Sequence, residues 1–441
     1  MNPWLAIPGA LQGIRVLDYT TAWAGPRMTA YLAEMGAQVI HVESIQYLDT
    51  HRGWSKWAWG ASGNLPNNEP GRKPWERNSQ FNEFNKNKLG ITLNLADPRG
   101  VTLFRRLAAL SDVVVDNYKA GTTQRFGIDY AQLRQLRPDI IQVSLPAFGT
   151  TGPYRDFTAW GNQVTALTGH GLLLNYAGEE EPEPGGTYGD PIAAITGALA
   201  VVAALYHRQK TGQGQYLEIA LSEVMPPLLP EAFMDYVLNG RQPAPVGNSS
   251  PTDVPWNLYP CQGEDAWIAI CCASDAEAIR LFELMERLDL AERFATLPAR
   301  LAARQEIDAL VAAWTAPQEK WALADRLQAA GIAAEPASQY VEVLRDSQLA
   351  ARGFFVELDH PECGVYPHPL QAVRLSKTPP RAYRPAPTYG QHNRAVLGEL
   401  LGLSEEELVE LERDRVIGNE PLEDEERRQL SRANAMDRAP R

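Results

Sequence analysis

At 441 residues with 44% hydrophobic side chains, the chain is too long for one core and has apolar residues enough for about two domains. A formal charge of -13 argues against general affinity for nucleic acid or an anionic membrane, so any anionic ligand needs a local basic pocket. Cys261, Cys271, Cys272 and Cys363 lack C-x-x-C spacing, which argues against a zinc site or a disulfide framework and for a reduced, cytoplasmic enzyme.

In chain order, residues 13–18 (GIRVLD) read as a strand, 20–26 as a loop, 27–35 as a helix ended by Gly36, and 37–43 (AQVIHVE) as a second strand closing on Glu43. This is a βαβ unit of the length a doubly wound parallel sheet requires. A Trp- and Pro-rich excursion follows at 48–77, whose Trp54, Trp57, Trp59 and Trp75 are expected to cover a partner subunit or a bound acyl group. Alternation resumes with strand 89–95, helix 98–110, strand 112–116, helix 130–136 and strand 140–145. Ligand groups belong at the carboxyl ends of such strands, here the loops 20–26, 117–121 and 146–153.

The helix expected over 191–208 is apolar nearly all round, and Gly197 in its middle permits close approach of another element. Its most apolar run, 192–206, reads as too short to span a bilayer, and the first 13 residues lack a basic region followed by a long apolar run. The expected fold is α/β. A large domain with a doubly wound parallel sheet takes in 1–225 and is completed by 347–418; 226–246 is a Pro-rich linker, 247–346 a smaller central α+β domain, and 419–441 a disordered tail.

Few motifs carry chemistry. Glu43 ends the second strand where a dinucleotide ribose would bind, but 20–26 reads TTAWAGP, with one glycine and no G-x-G-x-x-G, so NAD and FAD are not expected. No H-E-x-x-H, no His or Cys cluster and no G-x-S-x-G elbow is present, and no metal is expected. His170, in TGHG at 168–171, reads as structural. Lys86, Lys88, Lys119 and Arg125 fit a solvated surface or a converging phosphate site. Asp190, in Gly189-Asp190-Pro191, stands at the mouth of the long apolar helix, where the backbone dipole favours a carboxylate; a helix cap and a nucleophile both fit.

Taken together, LQGIRVLD at 11–18, AGP at 24–26, GAQVIHVE at 36–43, NKNK at 85–88, the segment 112–118, FGTTGP at 148–153, Gly189-Asp190 and RQKTGQGQ at 208–215 resemble the family III CoA-transferases. That group includes formyl-CoA and carnitine-CoA transferases, with methylacyl-CoA racemases as relatives. The resemblance runs in family order to about residue 418. It implies that Asp190 is the nucleophile, forming first a mixed anhydride and then an aspartyl-CoA thioester, with Gly185, Gly186 and Gly189 supplying oxyanion donors. It also implies CoA contacts from Ala22, Trp23, Ala24, Gly25, Lys88, Asn117, Tyr118, Lys119 and Arg125. A coenzyme A thioester and a carboxylic acid are then the substrates, no cofactor is permanently bound, and the subunits interlock as a homodimer or pair with a related subunit.

Two departures bear on substrate. Trp23 stands where the formyl-CoA type carries Gln, and GNSSP at 247–251 replaces that enzyme's glycine-run loop. The expected acyl group is therefore larger or partly apolar, a substituted succinate or an aromatic acid, with succinyl-CoA as the donor considered. The racemase branch needs a His about thirty residues before the Asp, where this chain has Trp160-Gly161-Asn162, so transfer is favoured. His170 is the candidate that would revive racemisation. An inactive scaffold subunit is the non-enzymatic alternative, and the retention of Asp190 speaks against it.

Overall fold

The computed structural model describes residues 7–53, 65–176 and 186–429, and the chain divides into two compact units. The first takes in the described residues within 1–168, 186–230 and 351–441; the second those within 169–185 and 231–350. Trp54, Trp57, Trp59 and Gly185 lie outside the described residues.

The first unit is built on strands β1 (Arg15–Tyr19) and β2 (Gln38–Glu43), joined by α1 (Ala24–Glu34). After α2 (Ser79–Phe84) come β3 (Leu89–Thr92), α3 (Pro98–Ala109), β4 (Val113–Asp116), α4 (Thr122–Phe126), α5 (Tyr130–Leu136) and β5 (Ile141–Ser144). Helices α6 (Gly161–Leu167), α7 (His170–Leu173) and α8 (Gly189–Thr211) precede β6 (Tyr216–Glu218). Six strands pair in parallel in the order β3-β2-β1-β4-β5-β6. The order reverses between β1 and β4, so the loops after these two strands flank a crevice at their carboxyl ends.

Strand periodicity sends alternate side chains to two cores. Val16, Val39, Val113, Val115, Ile141 and Val143 join Met28 and Leu32 of α1 and Ala193, Ala194 and Val201 of α8. Leu17, Ile40, Val42 and Val114 face Phe104 and Leu107 of α3, together with Val396, Leu408 and Ile417 of the returning carboxyl segment. That segment also closes the sheet edge: the β3 amides of Gly90 and Thr92 donate to His392 Nδ1 and Asn393 Oδ1 at 3.0 and 2.9 Å. An exposed row of donors is thereby avoided.

Local structure departs from expectation at α1 and α8. Helix α1 begins at Ala24 rather than 27: Pro26 lies in the first turn, where no intrahelical N–H is required, and Gly25 clears Thr20, whose Cβ lies 2.4 Å from where a Cβ on Gly25 would stand. Helix α8 runs 23 residues with a mean hydropathy of 1.5 in its most apolar window, long and apolar enough by length and composition to cross a membrane, contrary to the short run expected. Its Gly197 packs against Met28 of α1, where a Cβ would come 2.4 Å from the sulfur, while Ile195, Leu199 and Tyr206 are 53%, 70% and 62% exposed. The segment expected as a linker carries α9 (Leu221–Val224) before it and, within it, α10 (Pro230–Asn239). The expected disordered tail is held at its start, where Leu422 N donates to Ile45 O at 3.0 Å. In the second unit, β7 (Trp256–Pro260), β8 (Trp267–Cys271) and β9 (Ala333–Pro336) form an antiparallel sheet packed with helices around Phe282, Ile307 and Leu327.

Two buried charge clusters fix the crevice end of the sheet. Lys88 is fully buried, and its ammonium donates to Asp18 Oδ2 at 2.9 Å, Pro26 O at 2.8 Å and Asn85 Oδ1 at 2.9 Å. Thr20 and Thr29 donate to the same carboxylate at 2.5 and 2.6 Å, and His41 Nδ1 lies 3.1 Å away. Burial by itself would raise the Asp18 pKa; Lys88 and His41 overcome it and hold the group far below the ordinary carboxylate range. The second cluster joins Arg52 to both oxygens of Glu43 at 2.6 and 2.8 Å and to Glu76 at 2.6 Å, with the guanidinium over the Phe81 ring. Glu43 thus anchors a loop through both of its carboxylate oxygens. Trp75 packs in the small core beside it with Ile45 and Tyr389 instead of covering a ligand.

Removing the Lys88 ammonium strands Asp18 in the core. Lys88→Met is expected to cost about 3–5 kcal/mol, read as a fall in the urea midpoint; a loss under about 1 kcal/mol would contradict the anchoring role.

Candidate active site

The loop from β1 to α1 is pinned from two sides. Asn117, just past β4, accepts from Thr21 N at 2.9 Å and donates to Thr21 O at 2.7 Å. Asp49 Oδ2 accepts from Ala22 N at 3.0 Å and Thr21 Oγ1 at 2.9 Å. Between them Ala22 has φ +61°, a left-handed conformation that costs a non-glycine residue about 1–2 kcal/mol. The turn delivers Trp23 as the residue before α1 and Ala24 as its first residue.

Asp190 meets this loop. Tyr188 occupies the cap position of α8, with no side-chain cap hydrogen bond, so Asp190 lies inside the first turn and does not cap the helix. Its half-buried carboxylate faces the Ala24 amide. Burial pushes its pKa up to about 6, against the lowering effect of the Ala24 amide and its own N–H. At pH 7 the group is ionised yet incompletely solvated, the condition of a carboxylate nucleophile.

Gly161, which opens α6, lies directly against the carboxylate: a Cβ there would come within 1.9 Å of Asp190 Oδ2. Periodicity and composition gave no signal for this contact. Trp23 stacks on Phe84 with ring centroids 5.2 Å apart, and His51 lies 6.4 Å from Trp23 and 5.5 Å from Phe84. These rings form an apolar wall one residue from Ala24. Burial lowers the His51 pKa and favours the neutral imidazole.

The remaining predicted site residues divide. Ala22, Trp23, Ala24 and Gly25 are together in the pinned loop and first helical turn. Asn117 is there as well, with its amide engaged by Thr21. Tyr118 is half-buried, with its ring 4.7 Å from Tyr19. Lys119 and Arg125 are exposed beyond β4, Arg125 lying over Phe126. Lys88 is no ligand contact: all three of its donors point into the protein. Gly189 is buried against Val164 and Met225 as the first residue of α8, and the exposed Gly186 accepts from Tyr188 N and Thr165 Oγ1 through its carbonyl. His170 opens α7 in the second unit. Sequence reasoning missed Asp49, Gly161, Phe84 and His51.

The model described as CoA-transferase family III matches residues 11–393. The chain belongs to this family. It is 32% identical over 412 residues to a succinyl-CoA–D-citramalate CoA-transferase of Chloroflexus aurantiacus, covering 93% of this chain and 98% of that protein. It is also 32% identical over 397 residues to a succinate–glutarate CoA-transferase of Agrobacterium fabrum, covering 88% and 95%. Among solved structures, a CaiB/BaiF family protein from Brucella suis superposes with a TM-score of 0.79 at 29% identity, covering 89% of this chain and all of that one. The chain is thus a family III CoA-transferase, an enzyme class acting on CoA thioesters, on the six-stranded parallel sheet described above.

Gly161→Ala places a methyl inside the carboxylate and is expected to cut turnover by on the order of 100-fold or more, with the melting temperature little changed; retention of most activity would refute the contact. Turnover is expected to fall about tenfold per unit below pH 6. Because the folded pKa lies above the ordinary 3.8, the folded state binds more protons in between, and its stability falls as pH rises from 3.8 to about 6. Asp190→Asn should therefore be more stable than the parent at pH 8 by roughly 1–2 kcal/mol, and no more stable at about pH 3.

Proposed function

We propose that this enzyme moves CoA from succinyl-CoA to a second carboxylic acid, a substituted or longer dicarboxylate, by covalent catalysis at Asp190. The observation that carries the reading is the half-buried Asp190 carboxylate, pushed up to about 6, facing the Ala24 amide and seated on Gly161. The choice of donor and acceptor class is supported by relatives named for succinyl-CoA and D-citramalate and for succinate and glutarate.

In this mechanism an Asp190 oxygen attacks the thioester carbonyl, the C–S bond breaks and CoA leaves as the thiolate. The thiolate then attacks the aspartyl carbonyl of the mixed anhydride, releasing the donor carboxylate and leaving aspartyl-CoA. The acceptor carboxylate attacks that thioester to give a second anhydride and thiolate. Attack of the thiolate on the acceptor carbonyl forms the product thioester and regenerates Asp190. The Ala24 N–H is suited to stabilise the oxyanions, and the exposed Lys119 and Arg125 beyond β4 are suited to the CoA phosphates. The wall of Trp23, Phe84 and His51 fits the apolar part of an acyl chain.

Racemisation requires a second acid or base opposite Asp190. Where the resemblance places that branch's His, this chain has Trp160, Gly161 and Asn162, and Gly161 lies against the carboxylate without a side chain, which favours transfer. A second copy of the chain is the proposed partner, covering the exposed Ile195, Leu199 and Tyr206 of α8.

The purified chain, incubated with succinyl-CoA and a panel of dicarboxylates, is expected to form at least one new CoA thioester. Asp190→Ala should form less than about a thousandth as much. Substantial transfer by Asp190→Ala, or α-proton exchange without transfer, would overturn the reading. Light scattering should give a dimer mass, and Leu199→Glu a monomer; a monomeric parent would refute the second copy.

A further inference from the structure

Asp49 lies in a loop with no periodicity and is 7% exposed. The loop is itself fixed: Arg52, locked by Glu43 and Glu76, donates its amide to Asp49 O at 2.9 Å, and His51 N donates to Asp49 Oδ1 at 2.7 Å. This leaves Oδ2 aimed at the Thr21 hydroxyl and the Ala22 amide. Ala22, at φ +61°, occupies a region that alanine seldom adopts and glycine adopts freely. Asn117 holds both backbone groups of Thr21, and Asp49 holds the amide that follows. Two residues later the Ala24 amide faces Asp190.

We propose that Asp49 is a positioning residue, a clamp that holds Ala22 in the left-handed turn and so aims the Ala24 amide at the Asp190 carboxylate. The carboxylate of Asp49 reaches the chemistry only through backbone. Released from it, Ala22 relaxes toward negative φ, and the direction of the next two peptide units changes with it. The Ala24 N–H then leaves the place where charge develops. The proposal rests on the reading of Asp190 as the reacting group.

This mechanism separates a clamp from a substrate contact and from a merely structural carboxylate. Glycine at position 22 depends less on a clamp, because it adopts the left-handed turn about as readily as negative φ and carries no Cβ penalty there. The effect of losing Asp49 should therefore depend on what stands at 22, which a double-mutant cycle measures. Asp49→Ala is expected to lower kcat by on the order of 10–100-fold, with KM for the CoA thioester changed by no more than about threefold. In the Ala22→Gly background the same Asp49→Ala change should lower kcat by only about fivefold or less. Asp49→Asn, which keeps an acceptor oxygen, should recover most of the loss.

A second readout does not depend on chemistry. Amide hydrogen exchange in the peptide spanning 20–28 should accelerate in Asp49→Ala, and the acceleration should be smaller when Ala22→Gly is also present. The clamp is refuted if exchange there is unchanged. It is refuted equally if the cost of Asp49→Ala is the same in both backgrounds, or if the loss falls on KM alone, which would make Asp49 a substrate contact. Full activity of Asp190→Ala would instead refute the reading of Asp190, while the exchange result would still report on the clamp.

Discussion

The ion pair of Asp18 and Lys88, closed off from solvent at the carboxyl end of β1, is the constraint on which the site depends. Three donors on one ammonium tie together the last turn of the strand, the first turn of α1 and the end of α2. Ion pairs of this kind add little net stability, since desolvation offsets most of the attraction. Their geometric consequence is larger: with Asp18 and Pro26 fixed, the seven residues between them have few routes, and Asn117 and Asp49 select one. That route ends with the Ala24 amide facing a carboxylate from a different helix, 166 residues further along the chain.

The same economy explains how a carboxylate works with no basic side-chain partner among the described residues in the proposed chemistry. A serine or cysteine must lose a proton to become nucleophilic, and an aspartate already has. What it needs is partial desolvation, clearance and a donor for the oxyanion. Burial supplies the first, Gly161 the second, and the start of α1 the third.

Much of this was legible in the sequence, for identifiable reasons. Short apolar runs in β1, β4 and β5, alternating along the chain with helical segments such as α3, gave the parallel sheet, because strands buried on both faces read as near-continuous apolar runs. Asp190 was legible as a helix-start carboxylate within a family pattern. Lys88 was misjudged because its partner Asp18 lies 70 residues away, and a lysine beside a strand looks the same whether it points to solvent or inward. The start of α1 was misplaced because Gly25 and Pro26 usually mark loops; here the glycine is required by Thr20, and the proline falls where no amide is needed. Gly161 and Asp49 act through close approach and through backbone, and neither leaves a periodic or compositional trace.

The central claim is that Asp190 becomes covalently acylated, and it is tested most directly by mass spectrometry of the peptide carrying Asp190. The protein is mixed with succinyl-CoA in the absence of acceptor and quenched with hydroxylamine. A hydroxamate at Asp190, absent when the thioester is omitted, is the predicted result. An unmodified Asp190 peptide from a preparation that turns over succinyl-CoA and acceptor would contradict the covalent account.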